Sequence, residues 1–441
     1  MQYIWSIYNL LIKIDIEYRI VFNTHTGSIC RISNEFYQNA CNNKFDRITV
    51  QKLDLLVKHG FIVNNNRSEF SDILNESFEM AENEFTSSME VTIVPSLMCN
   101  MRCNYCFERL INKDIKKSVM SYEIRTATIN YILNQTRQLN INKLCITWFG
   151  GEPLLQYKTL IDISKNLKTL LNPTIQFTTR LITNGYLLSV QKLKYLIDVC
   201  NLDFVQISID GLKERYSRTR NIPKHYYERV IENIIICSEH VTTRIRLNAS
   251  PDNINELYDF VDQLLPLLSN KKNIQFVLSE IFDISPSVAG NTTVFPIGTF
   301  RIEFRKFSKY LHKLGFSIEC YYTEKFYPIG CKYFLRPNVA IDSEGFLYKC
   351  EHHFGENGFI IGNVYEGILP DKRTHIYYED CIENRCKTCS IYPICKYATC
   401  SDYRQQLASD MDKCSCYESQ IENIKYDILQ NLQHFPNVVI I

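Results

Sequence analysis

Residues 96–108 read SLMCNMRCNYCFE and put Cys99, Cys103 and Cys106 in a C-x₃-C-x₂-C frame. The frame comes straight after the apolar run MEVTIVPS, which has the composition of a short buried strand. Three thiolates in one loop are one short of the four that close a structural metal site. The missing fourth ligand marks a centre with one position left open for chemistry.

Outward from this loop the chain alternates between strands and helices. EVTIVPS, KLCITWFG, TIQFTTRLITN, LDFVQISID, TTRIRLNAS and NIQFVLSEI read as strands. Stretches of helical period separate them, among them SYEIRTATINYILNQTRQL, YKTLIDISKNLKTLL and INELYDFVDQLLPLL. Such alternation specifies a parallel α/β sheet, either doubly wound or a partial barrel. Reactive groups in these folds collect at the carboxyl ends of the strands. Beyond the cysteines, four further clusters fall there: Gly150, Gly151 and Glu152 in WFGGEP; Thr183, Asn184 and Gly185 in LITNG; Ser208 and Asp210 in ISIDG; and Asn248 in IRLNAS.

The ordered set C-x₃-C-x₂-C, GGEP, TNG and SIDG resembles the radical S-adenosylmethionine (SAM) superfamily over residues 90–285. The resemblance implies a partial (β/α)6 TIM-like barrel. It also implies a [4Fe–4S] cluster held by Cys99, Cys103 and Cys106, whose fourth iron is chelated by SAM. An electron from the cluster would cleave SAM and release a 5′-deoxyadenosyl radical, which takes hydrogen from the substrate. Gly150 and Gly151 would let backbone approach the ammonium end of the methionine, and Glu152 would accept from that cation. Ser208 and Asp210 would contact the ribose and carboxylate end, with Arg220 near the carboxylate. Tyr105 and Phe107 would flank the adenine. Thr183, Asn184 and Asn248 complete the expected SAM-binding set.

Ten of the 18 cysteines fall in the last 122 residues. Cys331, Cys350, Cys386, Cys389, Cys395, Cys400, Cys414 and Cys416 follow an order similar to the SPASM extension of radical SAM enzymes, which carries auxiliary iron–sulfur clusters. By that resemblance Cys331, Cys350 and Cys400 would bind one cluster, with Cys320 or Cys381 as a possible fourth ligand. Cys386, Cys389 and Cys395 would bind a second, completed by Cys414 or Cys416. The expectation is therefore three clusters. The C-x₂-C knuckle also serves structural zinc, which stays open as an alternative. Cys30, Cys41, Cys145, Cys200 and Cys237 stand alone and read as ordinary small residues of the core or its margin.

SPASM-bearing enzymes mostly modify peptides or proteins. Anaerobic sulfatase maturases place an Asp after the cysteine equivalent to Cys350; here Glu351 stands there, a candidate catalytic base or, with His352 and His353, a support for the cluster. Residues 1–80 read as a separate winged-helix-like unit. YRIVFNTHTGSICRIS gives a hairpin, Thr49 an N-cap and Gly60 a helix stop, and the unit resembles the leader-recognition element of ribosomal-peptide maturases. SDILNESFEMAENEFTSS reads as a polar linker to the core, and residues 286–441 as the SPASM domain. The expected partners are a precursor peptide and an electron donor such as flavodoxin or ferredoxin, with formylglycine formation or a non-catalytic metal-binding module as alternatives.

The 49 basic and 48 acidic residues give a net charge of +1, with no bias towards nucleic acid or an anionic membrane. Lys13, Asp15 and Glu17 interrupt the apolar start, so it is neither a signal peptide nor a spanning helix. The expectation is a cytoplasmic protein.

Overall fold

In the computed structural model, the run at 88–93 is the first strand of a central parallel sheet. The structure describes residues 3–45, 48–66, 68–83, 87–106, 108, 118–281, 293–295, 299–316, 337–369, 384–394, 421, 424–426, 428–429 and 438–440. Its contacts divide the chain into two units, residues 1–83 with 319–334 and 374–441, and residues 84–318 with 335–373.

In the first unit, β1 (Tyr3–Trp5) is followed by β2 (Asn9–Lys13), β3 (Tyr18–Asn23), β4 (Ile29–Ser33), α1 (Asn34–Cys41), α2 (Val50–Lys58), β5 (Ile62–Asn64) and α3 (Glu69–Asn83). β3 and β4 form the expected antiparallel hairpin, and β2 extends it. β1 pairs with β5. Thr49 caps α2 by accepting from Lys52 N, and Gly60 takes the left-handed φ of +76° just past the helix end. The stretch read as a linker is largely the helix α3. Its signal is a short apolar pair inside a polar sequence: Phe70 and Ile73, three residues apart, share one face and pack with Tyr8 and Tyr392. Glu69 fixes its start by accepting from Ser6 Oγ and Ile7 N.

The second unit runs β6 (Ser88–Ile93), α4 (Tyr122–Gln138), β7 (Lys143–Trp148), α5 (Tyr157–Leu170), β8 (Gln176–Thr183), α6 (Val190–Cys200), β9 (Leu202–Ile209), α7 (Lys213–Arg220), α8 (His225–His240), β10 (Thr242–Ala249), α9 (Ile254–Leu264), β11 (Ile274–Glu280) and α10 (Phe300–Lys313). All six strands are parallel and lie in sequence order from β6 to β11. A doubly wound sheet reverses its order at a switch point; this one never does, so it has the singly wound order of (β/α) barrels. β8 alternates strictly, with Phe177, Thr179, Leu181 and Thr183 buried and the residues between them partly exposed. One face of the strand is therefore fully packed while the other is partly open to solvent. Serine caps start α4 and α6, where Ser121 accepts from Ile124 N and Ser189 from Lys192 N.

The sheet continues past β6 through β12 (Val339–Ile341), β13 (Phe346–Tyr348), β14 (Gly362–Asn363) and β15 (Gly367–Ile368), with β12 parallel to β6 and the remaining pairs antiparallel. The β12–β13 turn is organised by Asp342, which accepts from Glu344 N, Phe346 N and Tyr348 OH. Residues 335–373 thus belong to the sheet-bearing unit. Residues 374–441 group with the amino-terminal one, where β16 (Val438–Ile440) pairs parallel with β4. The sequence boundary at 286 fell where the alternation stops, which is not where the contacts divide.

Candidate functional site

The cysteine loop leaves the end of β6 and is stitched by its backbone to the turn after β7 and to the carboxyl end of α7. Glu152 N donates to Met98 O (2.8 Å), Arg102 N to Arg220 O (2.9 Å) and Asn104 N to Thr219 O (3.0 Å). Two glycines permit this closeness. A Cβ on Gly150 would lie 2.2 Å from Val94 Cγ1, and one on Gly151 2.2 Å from Met98 O, with φ at +81° and +37°.

Glu152 is 1% exposed and its carboxylate is spent on the protein itself. Oε1 accepts from Thr183 Oγ1 (2.8 Å) and Leu154 N (3.0 Å), and Oε2 from Asn184 N (2.8 Å). Burial raises its pKa, and these donors oppose the rise. Asn184 passes the linkage back to the loop, donating to Asn100 Oδ1 (2.8 Å) and Cys99 Sγ (3.8 Å).

At the other side of the rim stands a buried network around Asp210. Its Oδ2 accepts from Arg220 Nε at 2.5 Å, and its Oδ1 from Tyr105 OH (2.5 Å) and Asn248 Nδ2 (3.0 Å). Asn248 Nδ2 also reaches Tyr105 OH (3.0 Å), and Arg220 Nη2 donates to Ser208 O (2.9 Å). Arg220 and Asp210 are 3% and 1% exposed, so the pair is effectively out of water. Burial opposes the Arg220 charge, but Asp210 and neighbouring tyrosines hold its pKa well above the usual arginine value. A polar cavity of about 390 Å³ adjoins this network, lined in part by Tyr105, Asp210, Arg215 and Arg218.

All five predicted clusters lie at or beyond the carboxyl ends of β6 to β10, as the sequence implied. Phe107, Cys331, Cys395, Cys400, Cys414, Cys416, Cys320 and Cys381 lie outside the described residues. Cys350 follows β13, with Glu351 in the next helical turn; Glu351 Oε2 is buried without a hydrogen-bond partner among the described residues. Cys386 and Cys389 share a tight turn of the other unit, where Cys389 N donates to Cys386 O (3.2 Å), and both pack beside Tyr8, Ile73 and Tyr392. Sequence reading missed two residues. Asn100 links the loop to Asn184. Glu108, the last letter of the opening stretch, accepts from Gly151 N at 2.7 Å; burial raises its pKa to about 7.

Among the described residues no three His, Cys, Asp or Glu side chains converge as ligands of a single ion would. The loop nevertheless fits a cluster and a polar ligand. Cys99 Sγ accepts from Met101 N (3.4 Å) and Asn184 Nδ2, the N–H to sulfur contacts that tune iron–sulfur centres. Asn100 Nδ2, Asn104 Oδ1 and Glu108 Oε1, all of this loop, are buried without hydrogen-bond partners among the described residues, a concentration of orphaned polar atoms that a bound ligand would satisfy.

The comparison with known proteins agrees. Residues 93–264 match the Radical SAM superfamily, so the chain carries a radical SAM domain, with the [4Fe–4S] cluster and SAM that this implies. The radical SAM cyclopropyl synthase TigE of Paramaledivibacter caminithermalis is 27% identical over 43% of this chain and 45% of its own length. The chain thus matches less than half of that relative. The cysteine-type anaerobic sulfatase-maturating enzyme of Clostridium novyi is 24% identical over 70% of this chain and 87% of its own. Among solved structures, Streptococcus suis SuiB bound to S-adenosylmethionine aligns with a TM-score of 0.54 at 16% identity, covering 92% of this chain and 97% of SuiB. Native anSMEcpe with AdoMet and the Kp18Cys peptide aligns with a TM-score of 0.57 at 17% identity, covering 77% of this chain and all of that one. No described helix is long and apolar enough to cross a membrane.

Proposed function

We propose that this protein is a radical SAM maturase that abstracts hydrogen from a residue of a ribosomally made precursor peptide and installs a crosslink or an oxidation. The observation that carries the radical chemistry is the joining of the three-cysteine loop to the Glu152 and Asp210 networks at one rim. Bound there, the cluster and SAM supply a carbon-centred radical that takes a hydrogen atom from the substrate. The protein's own part is to hold and orient. Cys99, Cys103 and Cys106 anchor the iron, Gly150 and Gly151 bring backbone against the methionine, and Ser208, Asp210, Arg220 and Asn248 frame the nucleoside side with Tyr105. Glu351, beside Cys350, is the candidate base for an oxidised substrate residue.

The peptide reading draws on two observations. The alignment with SuiB extends over more of this chain than that with anSMEcpe, and SuiB has also been solved bound to its precursor peptide SuiA. The sheet of the first unit ends on β2, whose outer edge has no strand partner among the described residues. An extended leader added there would gain main-chain hydrogen bonds. Conversion of a Cys or Ser to formylglycine is the second reading, favoured by the long alignment with the Clostridium novyi enzyme.

Anaerobic reconstitution followed by reduction in the presence of SAM tests the proposal. Three four-iron clusters correspond to about twelve irons per chain, and 5′-deoxyadenosine should form. Zinc instead of iron, with no SAM cleavage, overturns it. Flavodoxin or ferredoxin should replace the chemical reductant.

A further inference from the structure

Two carboxylates flank the glycine turn, and they differ in what they have left to offer. An ionised carboxylate presents about four lone-pair sites. Glu152 fills three of them with Thr183 Oγ1, Leu154 N and Asn184 N, using both oxygens. Its side chain binds the end of β7 to the end of β8. Glu108 commits only Oε2, to Gly151 N at 2.7 Å. Its Oε1 is closed off from solvent and has no hydrogen-bond partner among the described residues. Leaving a buried carboxylate oxygen undonated is costly, and native structures rarely do so unless a ligand completes the set.

We infer that Glu108, rather than Glu152, is the carboxylate that receives the ammonium group of the SAM methionine, with Oε2 anchored on the glycine turn and Oε1 turned to the ligand. The inference rests on the reading of this rim as the SAM site. An ammonium has three donors and carries the charge opposite to this acceptor, the pairing that gives short, strong hydrogen bonds. Glu152 then becomes a positioning residue that shapes the turn from beneath. His352 also acts electrostatically on Glu108 from the turn after Cys350 and already has interactions of its own. It is the competing partner that the test must separate from SAM.

The substitution Glu108→Gln keeps an oxygen for Gly151 N–H and removes the charge, so it spares the loop while weakening the ligand contact. In the full, anaerobically reconstituted chain, dissociation constants are measured by equilibrium dialysis for SAM and for 5′-methylthioadenosine, which lacks the amino acid moiety. SAM perturbation of the reduced cluster's EPR spectrum gives a second readout. For E108Q the expected result is SAM affinity weaker by about 10- to 100-fold, the scale of one charge-assisted hydrogen bond, with 5′-methylthioadenosine binding and iron content unchanged. Glu108→Asp, shorter by a methylene but still charged, should fall between. Glu152→Gln should lower the melting temperature and weaken both ligands alike.

Equal SAM affinity in wild type and E108Q overturns the assignment while leaving the SAM site standing. Equal losses for both ligands make Glu108 a structural residue. A His352→Ala variant that reproduces the SAM-selective loss moves the role to the 351–353 turn and also overturns it. Wild-type protein that binds iron but shows no SAM affinity or EPR change removes the parent reading as well.

Discussion

The two described cysteine regions are held by different forces. The loop at 99–106 is pinned by hydrogen bonds: backbone to Thr219 and Arg220, side chain to Asn184, and below it the buried Arg220–Asp210 pair. The turn at Cys386 and Cys389 packs against the nearby Tyr392 and against Tyr8, Phe70 and Ile73, which come from the first 83 residues. Polar stitching leaves a site wettable and open to a ligand. Apolar packing excludes water and suits a centre that only holds or passes electrons. On the proposed reading the first region would be the working centre and the second a supporting one, a difference that cysteine spacing alone does not carry.

That contrast can be broken at either end. Replacing Cys99, Cys103 and Cys106 together by Ala should reduce 5′-deoxyadenosine formation to background while iron bound elsewhere persists, as iron analysis with an activity assay would show. Retained SAM cleavage would end the distinction. Next in size, Arg220→Met leaves Asp210 buried and unpaired, at a cost of about 3–5 kcal/mol. Denaturant unfolding should show that loss, and the double change Arg220→Met with Asp210→Asn should recover part of it. EPR should show the SAM-binding cluster disturbed and any other cluster signal intact.

Ile73→Ala attacks the opposite end. Ile73 is 1% exposed, and its truncation should cost about 2–4 kcal/mol. Iron should be lost from the carboxyl-terminal cysteines while SAM still binds; the reverse pattern would mean the two regions are not independently supported. The smallest effect concerns cysteines in neither region. Burial pushes Cys30 and Cys237 up to about 12. At pH 8 only about one in ten thousand would be thiolate, and thiolate is the reactive form. Iodoacetamide followed by mass spectrometry should label exposed Cys41 quickly and leave these two unmodified in the native protein.

Much of the rim was legible in the sequence because its residues sit where strands stop, and strand ends are marked by small polar residues after β-branched runs. Glu152 and Asp210 were found that way, but not their partners. That Glu152 would also spend its oxygens on Thr183 and Asn184 depends on how far apart adjacent strand ends lie, which no spacing encodes. Glu108 was in view in the opening stretch and carried no signal of its own, since its meaning comes from Gly151, which meets it only after folding. That the strands are parallel followed from the alternation, but their unreversed order did not, and neither did helix α3. The apolar pair Phe70 and Ile73 was outvoted by its polar neighbours, and packing with Tyr8 and Tyr392 decided the matter. The grouping of residues 374–441 with the first 83 was likewise invisible, because it rests on contacts between the two ends of the chain.

The pairing of β16 with β4 gives the protein a timetable. The strand that covers the edge at residues 29–31, 438–440, is made about 400 residues after it. Over that interval this edge of the sheet is bare, and a bare edge is a template for pairing with another chain. A nascent chain stalled before residue 438 would therefore be a sticky one.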